Sequence, residues 1–300
     1  MKDFKRMIFV SAVLCFVVGI GNSPVIAEGP SAAEYGVVLN LSGKQRMLSQ
    51  KMSKEVLLIN LDYKKQENLT NLKATAALFD KTLKGLRDGD ESLRLPSTVS
   101  RRILRQIDDK TQPLWDPFYA NIKSVLEAGG VSSEQLNIVA ENNLPLLKEM
   151  NKCVKLYEKD ASKAGLKADP GLAVTINLAG KQRMLTQKMS KEFLLIASNH
   201  NAPENRLNLQ ETAGLFERTL KGLLDGDSTL DLPGTKDEAI RVQLAKVQDM
   251  WVKFKPIVSS AVTSEGTISS EKIAALAEHN LPLLKNMNKA VGMYEVLASK

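Results

Sequence analysis

The chain has 300 residues, 43% hydrophobic, 25% charged and only 5% aromatic, with a formal net charge of +7. That balance belongs to folded globular proteins and excludes a disordered or collagen-like chain. Two cysteines, Cys15 and Cys153, leave no room for a disulfide framework, and mild basicity without interleaved aromatics gives no support to nucleic-acid binding.

In chain order, Lys2, Lys5 and Arg6 precede an uncharged apolar run, Met7 to Ile20, followed by Val25-Ile26-Ala27. A basic start, an apolar middle and small residues at the cleavage position mark 1–27 as a secretory signal peptide cut near Ala27. The apolar run has 14 residues, short for a spanning helix, so cleavage is preferred over an uncleaved anchor. Cleavage removes three cations and Asp3, which lowers the net charge from +7 to +5 and leaves Cys153 alone. The expected location is the periplasm or the exterior, with a bacterial periplasm preferred.

The next element is a helix over 32–61. A second helix is expected over 67–87, ending at Gly89 as C-cap. Ser97 or Thr98 can open a third helix that reaches 128, and Ser132 or Ser133 a fourth, bent at Pro145. No segment alternates with period two, so no sheet is expected.

The same succession then returns at an offset of 137 residues: Gly43 becomes Gly180, Phe79 becomes Phe216, and "NLPLLKEMNK" at Asn143 becomes "NLPLLKNMNK" at Asn280. Trp115 and Trp251 lie 136 apart, so one residue is missing between the copies. The expected fold is all-α, two tandem four-helix bundles, with domains at 28–163 and 171–300.

The first helix of each copy carries the strongest repetition. Over 39–59 and 176–196, 17 of 21 positions are identical, whereas 100–112 and 237–248 share almost nothing. At 100° per residue, Leu41, Gln45, Leu48, Met52, Val56 and Ile59 form one stripe, read as bundle core. Gly43, Arg46, Gln50 and Ser53 form a second stripe, roughly 150° away by the same spacing. The second copy repeats it as Gly180, Arg183, Gln187 and Ser190. A glycine inside a helix costs about 1 kcal/mol relative to alanine, which close approach of another backbone would offset. The second stripe is therefore expected to be the surface on which one first helix meets the other. Such a meeting brings Arg46 and Arg183 together, and an anion between them would accept their forked donors. Gln50 and Gln187 would add amide donors, with Asn40 and Asn177 on the same line. The other reading of the two arginines, surface groups paired with carboxylates, stands beside it. Lys44, Lys51 and Lys54 are read as a solvated face, and Met47, Met52, Met184 and Met189 as packing residues.

"NLSGKQRMLSQKMSK" and "NLAGKQRMLTQKMSK" resemble the signature of the PilJ-type sensor domain, the N-terminal domain of type IV pili methyl-accepting chemotaxis transducers. The sensor domain of nitrate/nitrite sensor histidine kinases is similar to it. Asn40, Gly43, Arg46, Met47, Gln50 and Lys51 match the pattern in the first copy. In the second, Asn177, Ala179, Gly180, Arg183, Met184, Gln187 and Lys188 match it. The resemblance implies a four-helix bundle outside the cytoplasm in which the motif arginines of two subunits bind an anion. Carried over, that role falls on Arg46 and Arg183, within one chain. Family sensors feed a cytoplasmic signalling module; this sequence ends at Lys300 without a second span or a kinase, so it is expected to work through a partner. Lys44 and Lys181 follow the glycine, where the nitrate sensors are less basic.

Other constellations carry less. His200 and His279 do not occupy equivalent places in the two copies and make no metal site. "DGDSTLD" (Asp225 to Asp231) lacks the glycine and glutamate of a calcium loop and reads as a helix end. Neither a nucleophile elbow nor a P-loop nor a zinc signature occurs, so no catalysis and no cofactor are expected. The reading favoured is an exported sensory protein binding a small anion, nitrate or nitrite by resemblance, at Arg46, Arg183, Gly43, Gly180, Gln50, Gln187, Asn40 and Asn177. The alternative is a periplasmic interaction module that docks on a membrane-bound transducer or a pilus protein without a small ligand. Homo-oligomerisation is left open.

Overall fold

The computed structural model describes residues 30–164, 171–264 and 266–298, so the signal-peptide reading of 1–27 and the ends of both assigned domains lie outside the described residues. Among the described residues the protein is helical and carries no strand. Two isolated bridges, Asp90 with Leu95 and Asp227 with Leu232, close equivalent turns.

The first copy comprises α1 (Ala32–Asn60), α2 (Lys65–Asp88), α3 (Arg101–Gln106), α4 (Gln112–Ala128) and α5 (Ser133–Ala164). The second comprises α6 (Leu172–Ala197), α7 (Ala202–Asp225), α8 (Glu238–Thr263) and α9 (Ser270–Leu297). Ser31 and Glu34 start α1 with a capping box: the Ser31 Oγ accepts from the Glu34 N–H at 3.3 Å and the Glu34 carboxylate from the Ser31 N–H at 2.7 Å. Gly89 and Gly226, with φ of 87° and 94°, end α2 and α7, where a side chain would be strained.

α3 and α4 form one rod interrupted by a π-helical turn, Ile107–Thr111, whereas α8 is continuous. The π turn absorbs the one extra residue that separates the spacing of Trp115 from that of Trp251. Both tryptophans consequently reach the same place: Trp115 packs 4.2 Å from Phe79 and Trp251 4.7 Å from Phe216, centroid to centroid. The sequence expectation of a cap at Ser97 or Thr98 is corrected here, since the rod starts later, after Ser100. Thr98 instead donates its hydroxyl to the Leu86 carbonyl at 2.7 Å, tying the loop to the end of α2.

Each copy folds as a bundle of its own helices, with α2 and α5 on α1, and α7 and α9 on α6. The most extensive contact in the molecule, however, joins the bundles: α1 packs along α6. Gly43 faces Gly180, and Asn143 of α5 reaches both Ser53 of α1 and Lys191 of α6. Contacts in register over this length require that α1 and α6 run in the same direction. The chain thus has an approximate internal twofold, and α9 and α5 each touch the opposite bundle's first helix.

The two stripes of α1 are both interior. Leu48, Met52 and Val56 fill the first bundle's core, while Gly43 and Arg46 are buried against the second bundle and Gln50 and Ser53 are buried further along the same stripe. Lys54 corrects the solvated-face reading: it is 8% exposed, and Lys44 and Lys51 are half-buried. The helix meets protein on most sides, and only a narrow line that includes Lys44 and Lys51 is partly open to water. No helix among the described residues is long and apolar enough to cross a membrane.

Candidate functional site between the motif helices

Repetition of the motif places two glycines at the crossing of α1 and α6. A Cβ built on Gly43 would stand 3.9 Å from the Gly180 Cα, 3.3 Å from Arg46 Nη2 and 3.5 Å from Arg183 Nη2. From Gly180 the same two nitrogens are 3.5 and 3.4 Å away. Missing side chains therefore make the space in which both guanidinium tips meet.

Both arginines are enclosed, Arg46 at 3% and Arg183 at 0% exposure. Among the described residues neither makes an ion pair; their neighbours are amide oxygens. Arg46 donates to Asn151 Oδ1 and to the Asn177 carbonyl, each at 3.1 Å. Arg183 donates to Asn40 Oδ1 at 2.7 Å, to the Asn40 carbonyl at 2.8 Å and to Asn288 Oδ1 at 2.9 Å. The Nε–H of each arginine is buried without an acceptor. Leaving a buried charged donor unpaired costs about 1–3 kcal/mol or more. Burial pushes Arg46 down to about 10, partly offset by Glu158. Burial, then the charge of Arg46, push Arg183 down to about 9. Both stay protonated at neutral pH, so the centre holds two like charges.

Carboxylates stand one amide away. Asn177 Nδ2 donates to Glu158 and Asn40 Nδ2 to Glu295; Asn40 Oδ1 accepts from Arg183, whereas Asn177 meets Arg46 through its backbone carbonyl and its Oδ1 is buried without a donor. The Glu295 carboxylate also accepts from the exposed Arg94 at 2.8 Å, which extends this chain to the surface. At the corresponding place in the second copy stands Asp231, so the extension is one-sided. Lys44 and Lys181 flank the centre; burial, then Arg183 and Arg46 respectively, lower their pKa.

The sequence reading thus brings Gly43, Gly180, Arg46, Arg183, Asn40 and Asn177 to one place. Two roles need correction. Asn40 and Asn177 orient the arginines and have their amide N–H groups committed to glutamates. Gln50 and Gln187 belong to the next layer: Gln50 Nε2 donates to Ser49 Oγ at 3.2 Å, and Gln187 Nε2 to Thr186 Oγ1 at 3.1 Å and Asn280 Oδ1 at 2.9 Å.

That layer also holds Lys54, which donates to Asn280 Oδ1 at 3.0 Å, and Lys191, which donates to Asn143 Oδ1 at 3.3 Å. The reading of the first helix missed Asn151, Asn288, Glu158, Glu295, Asn143 and Asn280. They form three pairs at the same offset of 137, and four of the six lie in the repeated "NLPLLKEMNK" and "NLPLLKNMNK" stretches, so repetition was the signal that pointed to them. Asp227, in the stretch weighed as a calcium loop, caps a short turn by accepting from the Thr229 and Leu230 N–H groups at 2.9 and 3.1 Å.

The family model described as "Type IV pili methyl-accepting chemotaxis transducer N-term" (PilJ) matches residues 31–139 and 167–278, most of the chain and both copies. Among curated proteins the chain is similar to the methyl-accepting chemotaxis protein McpN of Pseudomonas aeruginosa, 25% identical over 124 residues. The match covers 41% of this chain and 22% of that protein, so the chain spans well under two thirds of the relative's length.

Proposed function

The chain belongs to the PilJ family of type IV pili methyl-accepting chemotaxis transducer N-terminal domains, and on that premise we propose that it is an exported sensory protein that binds one small anion between Arg46 and Arg183. Nitrate or nitrite is the favoured ligand by the resemblance of the repeated motif to that of nitrate/nitrite sensors; the chemistry of forked donors requires only a small oxyanion. The single observation that carries this reading is the pair of buried guanidinium groups at the Gly43–Gly180 crossing, each with an Nε–H that lacks an acceptor. A bound anion supplies the missing acceptor and separates two like charges. The protein acts after cleavage near Ala27, in the periplasm, and reports occupancy to a membrane-bound transducer.

Melting temperature against nitrate, nitrite, sulfate and chloride tests this. At a hundredfold excess over Kd, binding contributes about 2.7 kcal/mol, a shift of ~5 °C for a protein of this size. The combined Arg46→Ala and Arg183→Ala variant is expected to lose the shift. A wild type that responds to none of the anions, or a double variant that keeps the response, contradicts the proposal. The second reading, a docking module, draws on exposed Val242 and Val252 of α8, at 47% and 65%. It predicts no shift and a protein partner that co-purifies.

A further inference from the structure

Lys54 lies eight residues beyond Arg46, about 12 Å further along α1 at 1.5 Å per residue. It is buried, and burial lowers its pKa to about 8, so it remains charged at neutral pH. Its ammonium has three donors, and the Asn280 amide oxygen takes one of them. The adjacent Glu55 is shared: Lys51 Nζ makes an ion pair with Glu55 Oε1 and Thr75 donates to the same oxygen at 3.2 Å, while Oε2 has no hydrogen-bond partner and its charge acts on Lys54 as well as Lys51. One carboxylate between two ammonium groups leaves one buried positive charge uncompensated.

Lys54 lines a cavity of about 550 Å³ where the end of α1 and the start of α2 face α9. That volume falls in the range of small-ligand pockets. Lys51, Lys54 and Glu55 stand on one side, and Leu58, Ala277 and Leu281 supply apolar wall. The remaining charged groups there, Lys64 and Lys285 against Glu67 and Glu278, balance in sign. The cavity as a whole therefore carries one excess positive charge beside apolar surface.

We propose that this cavity is a second ligand site, distinct from the arginine pair, that takes a small aliphatic monocarboxylate, its acid group on Lys54 and its chain against Leu58 and Ala277. The carboxylate replaces the missing counter-charge and accepts the ammonium's remaining donors. An inorganic anion as small as nitrate would leave most of the volume unfilled and gains less there.

Calorimetric titration of the full chain with sodium butyrate tests it, with butanol as the neutral control. The wild type is expected to bind one butyrate and no butanol. Lys54→Met removes the charge at similar length, and Ala277→Phe fills the apolar end without touching the Lys54–Asn280 bond. Each is expected to weaken butyrate by more than about tenfold, some 1.4 kcal/mol, while the nitrate response of the arginine pair persists. Absence of butyrate binding to the wild type overturns the proposal, as does full affinity in either variant. Should Lys54→Met fail to fold, Ala277→Phe decides alone. Loss of butyrate binding in the Arg46→Ala and Arg183→Ala variant, with Lys54→Met unaffected, would assign the carboxylate to the arginine site and also overturn it.

Discussion

At the scale of residues, the interior of this protein keeps more cations than its partners neutralise. Arg46, Arg183, Lys54 and Lys191 are all buried and all held chiefly by amide oxygens. A measurable pH dependence follows. Burial holds Lys54 and Lys191 at about 8 in the folded chain, against an ordinary 10.5. Between those values the unfolded chain keeps protons that the folded chain has released, so stability rises with pH through that window. Groups of the opposite kind limit the gain: burial raises Cys153 and Tyr294 to about 12 and raises Tyr35 and Tyr157 as well, and each removes stability once pH passes its ordinary 9.0 for the thiol or 10.0 for the phenols. The contribution of the lysines is therefore read between pH 8 and 9, where Arg183, at about 9, adds a rise of the same sign. Urea midpoints of the wild type should climb across that interval, and those of Lys54→Met with Lys191→Met should climb clearly less. A wild-type profile that is flat or falls there rejects the buried, charged state of these lysines. Arg46 was legible in the sequence because its stripe was repeated. Lys54 was not, because a lysine on a helix wheel gives no sign that a second bundle covers it.

At the scale of elements, the crossing of α1 with α6 depends on two glycines. Alanine at position 43 gains about 1 kcal/mol of helix propensity. Its methyl would also meet Arg46 Nη2 at 3.3 Å and Arg183 Nη2 at 3.5 Å, filling the space between the tips. Gly43→Ala is accordingly expected to change stability by less than ~1 kcal/mol and to abolish stabilisation by nitrate in a melting experiment. Retention of the full nitrate shift would show that the anion does not sit at the crossing. Helix positions were largely readable, since capping serines, terminal glycines and period 3.6 are local signals. The π turn at Ile107–Thr111 was visible only as an arithmetic mismatch of one residue between Trp115 and Trp251. A bulge of this kind is fixed by the need to return both tryptophans to the phenylalanines of the neighbouring helix, a tertiary demand that no local pattern records.

At the scale of the molecule, duplication has placed two motif helices in one chain so that they pack on each other. Two tandem bundles were legible from the internal repeat; their side-by-side arrangement was only implied, because a joining sequence such as "KAGLKADPG" (Lys163 to Gly171) allows several placements. What decides the arrangement is burial. Each first helix has two faces that exclude water, and the second is covered by its counterpart together with the fourth helix of its own bundle. The approximate twofold brings one arginine, one glycine and one asparagine from each copy to one place, and the proposed site is composite. Stoichiometry tests that claim most directly. Calorimetric titration with nitrate, alongside the mass of the species in solution, should give one anion for each single chain. Two anions per chain, one anion shared by two chains, or no binding at all would contradict the account.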